Sequence, residues 1–374
     1  MARIYAGRVG SKSGHRPDYF FLALVFVLTV FGLVMLASAS SDLGKIKFND
    51  SYYYIKHQIY YGLVFGVAGF CAAYFFGYQR LKSIALPALL VSIVLLALVF
   101  TSFGLEVRSA NRWLTLGPIS FQPSELMKLT FIVYLAAWFS NPKAKRASSL
   151  NEGVLPFGIL TGFIAILLLL QPATSTVVIL LAAGFAIYFL SGAKWRHMGA
   201  MTLLAIVGIG LVILATPYRL KRITGFLNPN DDALGQNYQL NQAQIAIGSG
   251  GLLGVGYGQS ATKVSYLPTP TDDSIFAVIG EELGFLGAGG LVALFALFTF
   301  RVFWLAKNAR DQFGKFLLVG LGTVIALQSF VNMASISGLI PLTGVPLPFV
   351  SYGGTALAVF LTMSGIVANV SKYS

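Results

Sequence analysis

Long apolar runs separated by short polar links repeat along nearly the whole chain. Ten of them, near residues 19–38, 60–77, 84–103, 123–140, 155–170, 174–190, 198–215, 274–300, 316–340 and 348–370, approach the length of a bilayer-crossing helix, which needs roughly 20 apolar residues. Membrane barrel strands would be about 10 residues long and alternating, and backbone polar groups in lipid must be satisfied within helices or a closed barrel. The pattern predicts an all-α polytopic membrane protein with ten transmembrane helices. One interval breaks the rhythm. The polar stretch 216–273 is expected to be a large extracytoplasmic loop between helices 7 and 8, within a single membrane domain (19–374) that follows a cytoplasmic N-terminal tail (1–18).

Composition and charge sharpen this picture. Of 374 residues, 56% are hydrophobic and 10% charged, against about 25% charged in soluble domains. A net charge of +13 would suit nucleic acid, but the basic residues gather in short links: Gln79–Lys82, Asn141–Arg146, Lys194–Arg196 and Arg301–Lys315. All of these fall on the side of the N-terminus. The positive-inside rule turns the excess into an orientation signal, with both ends cytoplasmic, and nucleic acid is not an expected partner. The first span has a basic lead and an Ala37-Ser38-Ala39 segment, but its apolar stretch exceeds the roughly 7–15 residues of a signal peptide. Cys71 lies alone in an apolar run, which excludes a disulfide framework. His15, His57 and His197 are far apart, so no zinc or haem site is expected. The glycine-rich run Gly248–Gly258 matches neither nucleotide-binding glycine pattern.

Candidate chemistry lies in the loops on the far side of the membrane. Before the fourth span stand Arg108, Arg112 and Trp113. Pro123 is well placed to open a helix, and Glu125 and Lys128 share one helical face, where they can neutralise each other. A self-paired structural couple and a site for a diphosphate headgroup and a sugar face both fit these residues. The large loop opens with the cluster Arg219, Lys221 and Arg222, and contains a segment whose Leu240, Ala243 and Ile247 fall on one helical face, expected to lie in the membrane interface. It ends at Asp272-Asp273-Ser274. Any of these three could merely cap the next helix. On a 3.6-residue period, however, Asp273 lies above Ala277, Gly280 and Gly284, a small-residue face that lets another helix or a lipid tail approach. Glu281 is offset from it by about 80° and Glu282 by about 180°, so Asp273 faces a groove, Glu281 flanks it and Glu282 serves packing.

Two further stretches are irregular. Gln171-Pro172-Ala173 interrupts an apolar run, which is tolerated where backbone is buried in protein or lines a cavity; a kink without function fits equally. Ile340–Gly354 holds three prolines and three glycines and is expected to dip back into the membrane with Ser351 and Tyr352 as donors. Tyr52, Tyr53 and Tyr54 suit headgroup anchoring. Cations, a glycine segment and carboxylates at one membrane edge point to an anionic, lipid-borne substrate.

Five segments in order, Arg112-Trp113, Phe121–Glu125, Ile245–Gly251, Asp273–Glu282 and Pro346–Gly354, closely resemble the SEDS family (shape, elongation, division and sporulation). Val34–Ser40 looks more like its FtsW branch than its RodA branch. The resemblance implies a ten-helix peptidoglycan glycosyltransferase that polymerises lipid II outside the cytoplasmic membrane with a class B penicillin-binding protein and other divisome or elongasome proteins. It also implies that Asp273 is the essential aspartate, Trp113 an important tryptophan, and Glu125 with Lys128 the polar pair of the fourth helix. Arg108, Arg112, Lys128, Arg219, Lys221 and Arg222 are then candidates to meet undecaprenyl pyrophosphate, with Glu281, Ser351 and Tyr352 beside the substrate. No tightly bound cofactor is implied; a divalent cation (Mg or Mn) bridging diphosphate to a carboxylate is compatible with the family. Two departures stand out: Thr271-Asp272 replaces the usual His-Thr before the aspartate, and Ala173 replaces an aspartate after Gln-Pro. A lipid II flippase is the rival reading, since broken spans and an intramembrane ion pair suit a transporter. Against it, the ionisable groups cluster at one edge of the membrane.

Overall fold

The computed structural model describes residues 16–107, 110–116, 119–141, 148–228 and 237–373. The chain begins with α1 (Tyr19–Phe48), capped by Asp18, whose Oδ1 accepts from the Phe21 amide at 2.7 Å. α2 (Tyr53–Gln58) passes through a π-helical turn (Ile59–Leu63) into α3 (Val64–Phe75), and α4 (Leu81–Leu98) follows. Next comes a small antiparallel sheet of β1 (Gly104–Val107), β2 (Ala110–Leu116) and β3 (Ile119–Phe121), in which Leu105 pairs with Trp113 and Leu114 with Phe121. α5 (Pro123–Phe139), α6 (Leu155–Leu170), α7 (Thr174–Leu190) and α8 (Trp195–Leu214) complete the first part of the bundle.

The interval expected as a loop is itself folded. It holds α9 (Pro217–Leu227), α10 (Tyr238–Ser249) and the single turn α11 (Thr262–Ser265), before α12 (Ile275–Lys307), α13 (Gln312–Ile336) and α14 (Gly354–Ser371). Eight helical stretches among the described residues are long and apolar enough to cross a membrane, and the protein is an integral membrane protein. α7 is apolar but has 17 residues, and α5 has 17 with Glu125 and Lys128 inside it.

The strictly all-α expectation is corrected by the sheet. Its strands are short, so their period-2 signal is weak beside that of the helices. The spacing of Leu105 and Val107, and the Gly-Pro pair in the sequence between β2 and β3, are the signals that could have found it.

α12 is not one continuous rod. Gly284 adopts φ 66° and ψ −165°, breaking the helix. The glycine-rich run fills the break: Val255 and Gly256 amides donate to the Glu281 and Glu282 carbonyls at 3.0 and 3.1 Å, and the Phe285 amide donates to the Gly251 carbonyl at 2.9 Å. A Cβ on Gly250 would stand 2.0 Å from the Gly280 carbonyl oxygen, and one on Gly254 2.1 Å from that of Glu282. Glycine is therefore required by close backbone approach. α10 packs on α12, with Ile247 against Gly280 and with Leu240, Ala243 and Ala246 buried; the small-residue face thus receives a helix of the chain itself.

α13 and α14 form the buried centre, around which α3, α5, α7 and α12 pack. One end of the bundle is tied by Arg301 to Asp18, by the Tyr78 hydroxyl donating to Asp311 at 2.6 Å, and by the Tyr78 amide donating to Asn369 at 2.9 Å. Phe131, Phe298 and Phe360 fill the middle. The other end stays open.

Candidate functional site

A cavity of about 1100 Å³ occupies that open end. Its walls come from the ends of α1, α8 and α13, the link between α6 and α7, the starts of α2, α5, α7, α10 and α14, the π-turn, the sheet, α9 and the loops before α12 and α14. Asp272, Asp273, Arg112, Trp113, Glu125, Arg219, Arg222 and Tyr352 all line it. Residues spread over some 240 positions of sequence thus meet in one space.

The arginines are held by backbone carbonyls left without helical partners where α6 ends and the chain breaks before α7. The Arg112 Nε and Nη2 donate to the Gln171 and Pro172 carbonyls at 2.8 and 2.6 Å, and Arg219 Nη2 donates to the Leu169 carbonyl at 2.9 Å. A guanidinium carries five N–H donors, so these bonds orient the groups and leave further donors. Arg222 donates to the Leu342 carbonyl at 3.2 Å and to the Tyr218 hydroxyl, and stacks on the Tyr218 ring. On α9, Tyr218, Arg219, Arg222 and Ile223 line the cavity, as spacings of three and four residues dictate. Burial lowers the Arg112 guanidinium from its ordinary value; Tyr218 and Asp273 push it up, while Arg222 and Arg219 push it down.

Asp273 sits at the mouth of α12. Its backbone carbonyl accepts from Asn332 Nδ2 at 2.9 Å, and Asn332 also donates to the Val345 carbonyl at 2.7 Å, binding the α12 start to the 337–353 loop. A single point above Gly344 lies 3.4 Å from Asp273 Oδ2 and 3.9 Å from Arg222 Nη1, so acid and cation flank the same hollow. Asp272 is anchored beside it, its carbonyl accepting from Ser351 Oγ at 2.6 Å and its Oδ1 from Thr271 Oγ1 at 3.0 Å.

Other expected residues lie elsewhere. Arg108 is outside the described residues. Lys221 is exposed and does not line the cavity, because it points off the Arg219–Arg222 face of α9. Ser351 is buried in the loop, accepting from the Leu347 amide at 2.8 Å as it donates to Asp272. Lys128 is buried behind the wall, donating to Glu125 Oε1 at 2.7 Å and to Gln328 Oε1 at 2.6 Å; Glu125 alone of the pair reaches the cavity. Its Oε2 is buried without a hydrogen-bond partner among the described residues.

Glu281 does not flank the cavity. It accepts from Ser260 Oγ at 2.5 Å, from the Ala261 amide at 3.0 Å and from the Thr262 hydroxyl, and so clamps α11. Glu282 does more than pack: it takes Lys263 Nζ at 2.8 Å and Ser38 Oγ at 2.7 Å. Neither Lys263 nor the cavity-lining His57, Tyr54 and Tyr61 was singled out from sequence for this region's chemistry. A lone histidine within an apolar stretch beside tyrosines was the available signal.

Among the described residues no three His, Cys, Asp or Glu side chains gather as a metal site.

Comparison with known proteins follows the same line. The family model described as cell cycle protein, of the FtsW, RodA and SpoVE type, matches residues 18–374. Stage V sporulation protein E of Bacillus subtilis (strain 168) is 38% identical over 364 residues, covering 96% of this chain and 98% of that protein. A protein named probable peptidoglycan glycosyltransferase FtsW, from Geobacter sp. (strain M18), is 36% identical over 355 residues, covering 95% and 96%. Among solved structures, a chain from a peptidoglycan synthase complex that coordinates polymerization and crosslinking superposes with TM-score 0.78 at 29% identity, covering 96% of this chain and 99% of that one. The rod shape determining protein RodA of Thermus thermophilus gives 0.70 at 29%, covering 95% and 96%. With the model spanning all but the first residues, and relatives above a third identical along nearly their whole length, this chain belongs to the FtsW/RodA/SpoVE family of cell cycle proteins.

Proposed function

We propose that the protein is a peptidoglycan glycosyltransferase that polymerises lipid II into glycan strands at the outer face of the bacterial cytoplasmic membrane. The observation that carries this reading is one carboxylate, Asp273, sharing a hollow with Arg222 in a cavity that also holds Arg112 and Arg219. Its relatives named as glycosyltransferases support the same reaction.

In this reading Asp273 accepts the proton of the 4-hydroxyl on the acceptor's N-acetylglucosamine. That oxygen forms a bond to the anomeric carbon of the donor sugar, and the bond from that carbon to undecaprenyl pyrophosphate breaks. A positioned base is worth about 10²- to 10⁴-fold. The charge that grows on the departing diphosphate meets preorganised guanidinium donors, usually the larger contribution in such sites. Val178, Ile179, Ile209 and Ile213 line the arginine side of the cavity and give the prenyl chain an apolar path. A Mg or Mn ion, where involved, would arrive with the diphosphate, since Mg²⁺ commonly binds through substrate phosphates and one or two carboxylates; no step here depends on it.

The membrane arrangement is part of the proposal: ten spans, counting α5 and α7, with both termini cytoplasmic and the cavity outside. The basic links fit it. A class B penicillin-binding protein is the proposed transpeptidase partner, supported by the likeness to a chain of a peptidoglycan synthase complex. Septal or lateral localisation of a tagged protein distinguishes a division role from one in elongation.

The flippase alternative needs a polar route through the bundle. Below the cavity the fully buried rings of Phe131, Phe298 and Phe360 stand in the core, which favours the polymerase. Purified protein with its transpeptidase partner should elongate lipid II, and Asp273→Ala should stop this while the protein stays folded. Wild type that moves lipid II between leaflets without making polymer would overturn the proposal in favour of transport.

A further inference from the structure

The cavity has two chemically unlike ends. At one, Arg219 and Arg222 stand beside the apolar wall of α7 and α8. At the other, the lining is aromatic: Tyr54 and His57 from α2, Tyr61 from the π-turn and Tyr352 from the loop before α14. These rings hold one another. Tyr352 hydroxyl and His57 Nδ1 are 2.9 Å apart, the Tyr54 ring meets Tyr352 edge-on at 5.1 Å between centroids, and His57 lies 4.5 Å from Tyr61.

The frame beneath them is rigid. Gln58 Oε1 accepts from the Gly353 amide at 2.9 Å, its Nε2 donates to the Ser351 carbonyl at 3.3 Å, and the Tyr352 amide donates to the Thr271 carbonyl at 2.9 Å. The π-turn that follows Gln58 widens the helix at this place, a device that recurs at functional sites. The two adjacent aspartates are divided between the ends. Asp273 shares its hollow with Arg222, whereas Asp272, with Tyr53 and Tyr54, adds to the upward push that burial exerts on the Tyr352 phenol.

Charge at the aromatic end is mixed, since Asp272 and Lys47 both line the cavity with these rings, so a purely anionic ligand is opposed by the carboxylate as well as drawn by the ammonium. A hydrocarbon tail has no use for a phenol, an imidazole and a carboxylate. A sugar ring presents apolar C–H faces to aromatic rings and hydroxyls and amides to polar tips, and tyrosine supplies both kinds of contact in one rigid side chain. We propose that the lobe formed by Tyr54, His57, Tyr61, Tyr352 and Asp272 is a saccharide subsite that seats the amino-sugar of the acceptor. This rests on the glycosyltransferase reading above. Asp272 is then a positioning residue that holds the acceptor while its neighbour takes the proton, which gives the two adjacent carboxylates different tasks.

The test is binding without turnover, on the full chain in nanodiscs, with two separate probes: a soluble N-acetylglucosamine–N-acetylmuramic acid tetrasaccharide, and undecaprenyl pyrophosphate. Wild type is expected to bind both. Tyr54→Leu and Asp272→Asn should each weaken the tetrasaccharide by about tenfold or more, a loss of one well-made contact, and leave the diphosphate within about twofold. The retained diphosphate binding shows that the variants are folded. Arg222→Ala should do the reverse. No saccharide binding by wild type, or undiminished binding by both lobe variants, overturns the subsite. The glycosyltransferase reading fails separately: saccharide binding that depends on the lobe, in a protein that makes no polymer from lipid II, keeps the subsite and removes the polymerase.

Discussion

Lys263 Nζ lies 2.8 Å from Glu282 Oε1, with both side chains almost wholly buried. Together with Glu281, which clamps residues 260–262, this pair fastens the segment leading to Asp272 and Asp273 onto the first half of α12. Removing one member of a buried pair leaves the other charge uncompensated, at a cost of about 3–5 kcal/mol. Glu282→Ala should therefore lower thermal stability in detergent by that order, whereas Glu282→Gln, which keeps hydrogen bonds to Lys263 and Ser38, should lose less. Equal stability of Glu282→Ala and wild type would refute the clamp.

The glycine-rich run gives a prediction with opposite signs at neighbouring positions. Gly254→Ala places a methyl group 2.1 Å from the Glu282 carbonyl oxygen at φ +83°, and should destabilise by about 1–3 kcal/mol or more, as overpacking does. Gly248 lies in α10 with nothing within 4 Å of an added Cβ. Gly248→Ala should be neutral or stabilising by up to about 1 kcal/mol, since alanine is the better helix former. Chemical denaturation of the two variants side by side checks both signs.

The Glu125–Lys128 couple separates stability from binding. Lys128→Met leaves a buried carboxylate whose Oε2 already has no partner among the described residues, and should destabilise by about 3–5 kcal/mol. The double change Glu125→Leu with Lys128→Met removes both charges and should regain most of that loss. Polymerase activity should stay low in the double variant, because Glu125 also lines the cavity. Recovery of activity along with stability would make the pair purely structural.

Arg222 should contribute to the chemical step. Its replacement by alanine removes a donor aimed at the departing diphosphate, and losing one such donor typically costs about 10²- to 10³-fold in turnover. Arg222→Lys keeps charge without the planar fork and should recover part of the activity. Lys221→Ala is the control: it is exposed and outside the cavity, and single-turnover rates should barely change.

Much of this was legible in the sequence, and the parts that were not have physical reasons. Eight of the expected spans could be read because each is a long apolar run. Asp273, Arg112, Trp113, Arg219 and Arg222 could be marked because cations, an indole and a carboxylate gathered at one edge of the membrane suit a diphosphate and a sugar. Glu281 was misjudged because helical angles place a side chain around its own axis but say nothing of what packs there, and α11 occupies that face. Ser351 is taken up by the loop's own hydrogen bonds to Leu347 and Asp272, and Lys221 turns off the Arg219–Arg222 face of α9. The break at Gly284 and the role of Gly250–Gly256 are long-range backbone pairings, which local periodicity does not encode. Arg112 was seen, but its bond to the Gln171 and Pro172 carbonyls joins residues some 60 apart.

The central claim is that Asp273 is the base. Polymer formation from lipid II by purified protein with its transpeptidase partner, measured in parallel for wild type, Asp273→Ala and Asp272→Ala, tests it most directly. Asp273→Ala should lose polymerisation altogether with its fold and its undecaprenyl pyrophosphate binding intact, and Asp272→Ala should retain a measurable rate with weakened use of acceptor. Normal polymerisation by Asp273→Ala, or loss of activity confined to Asp272→Ala, would contradict the account.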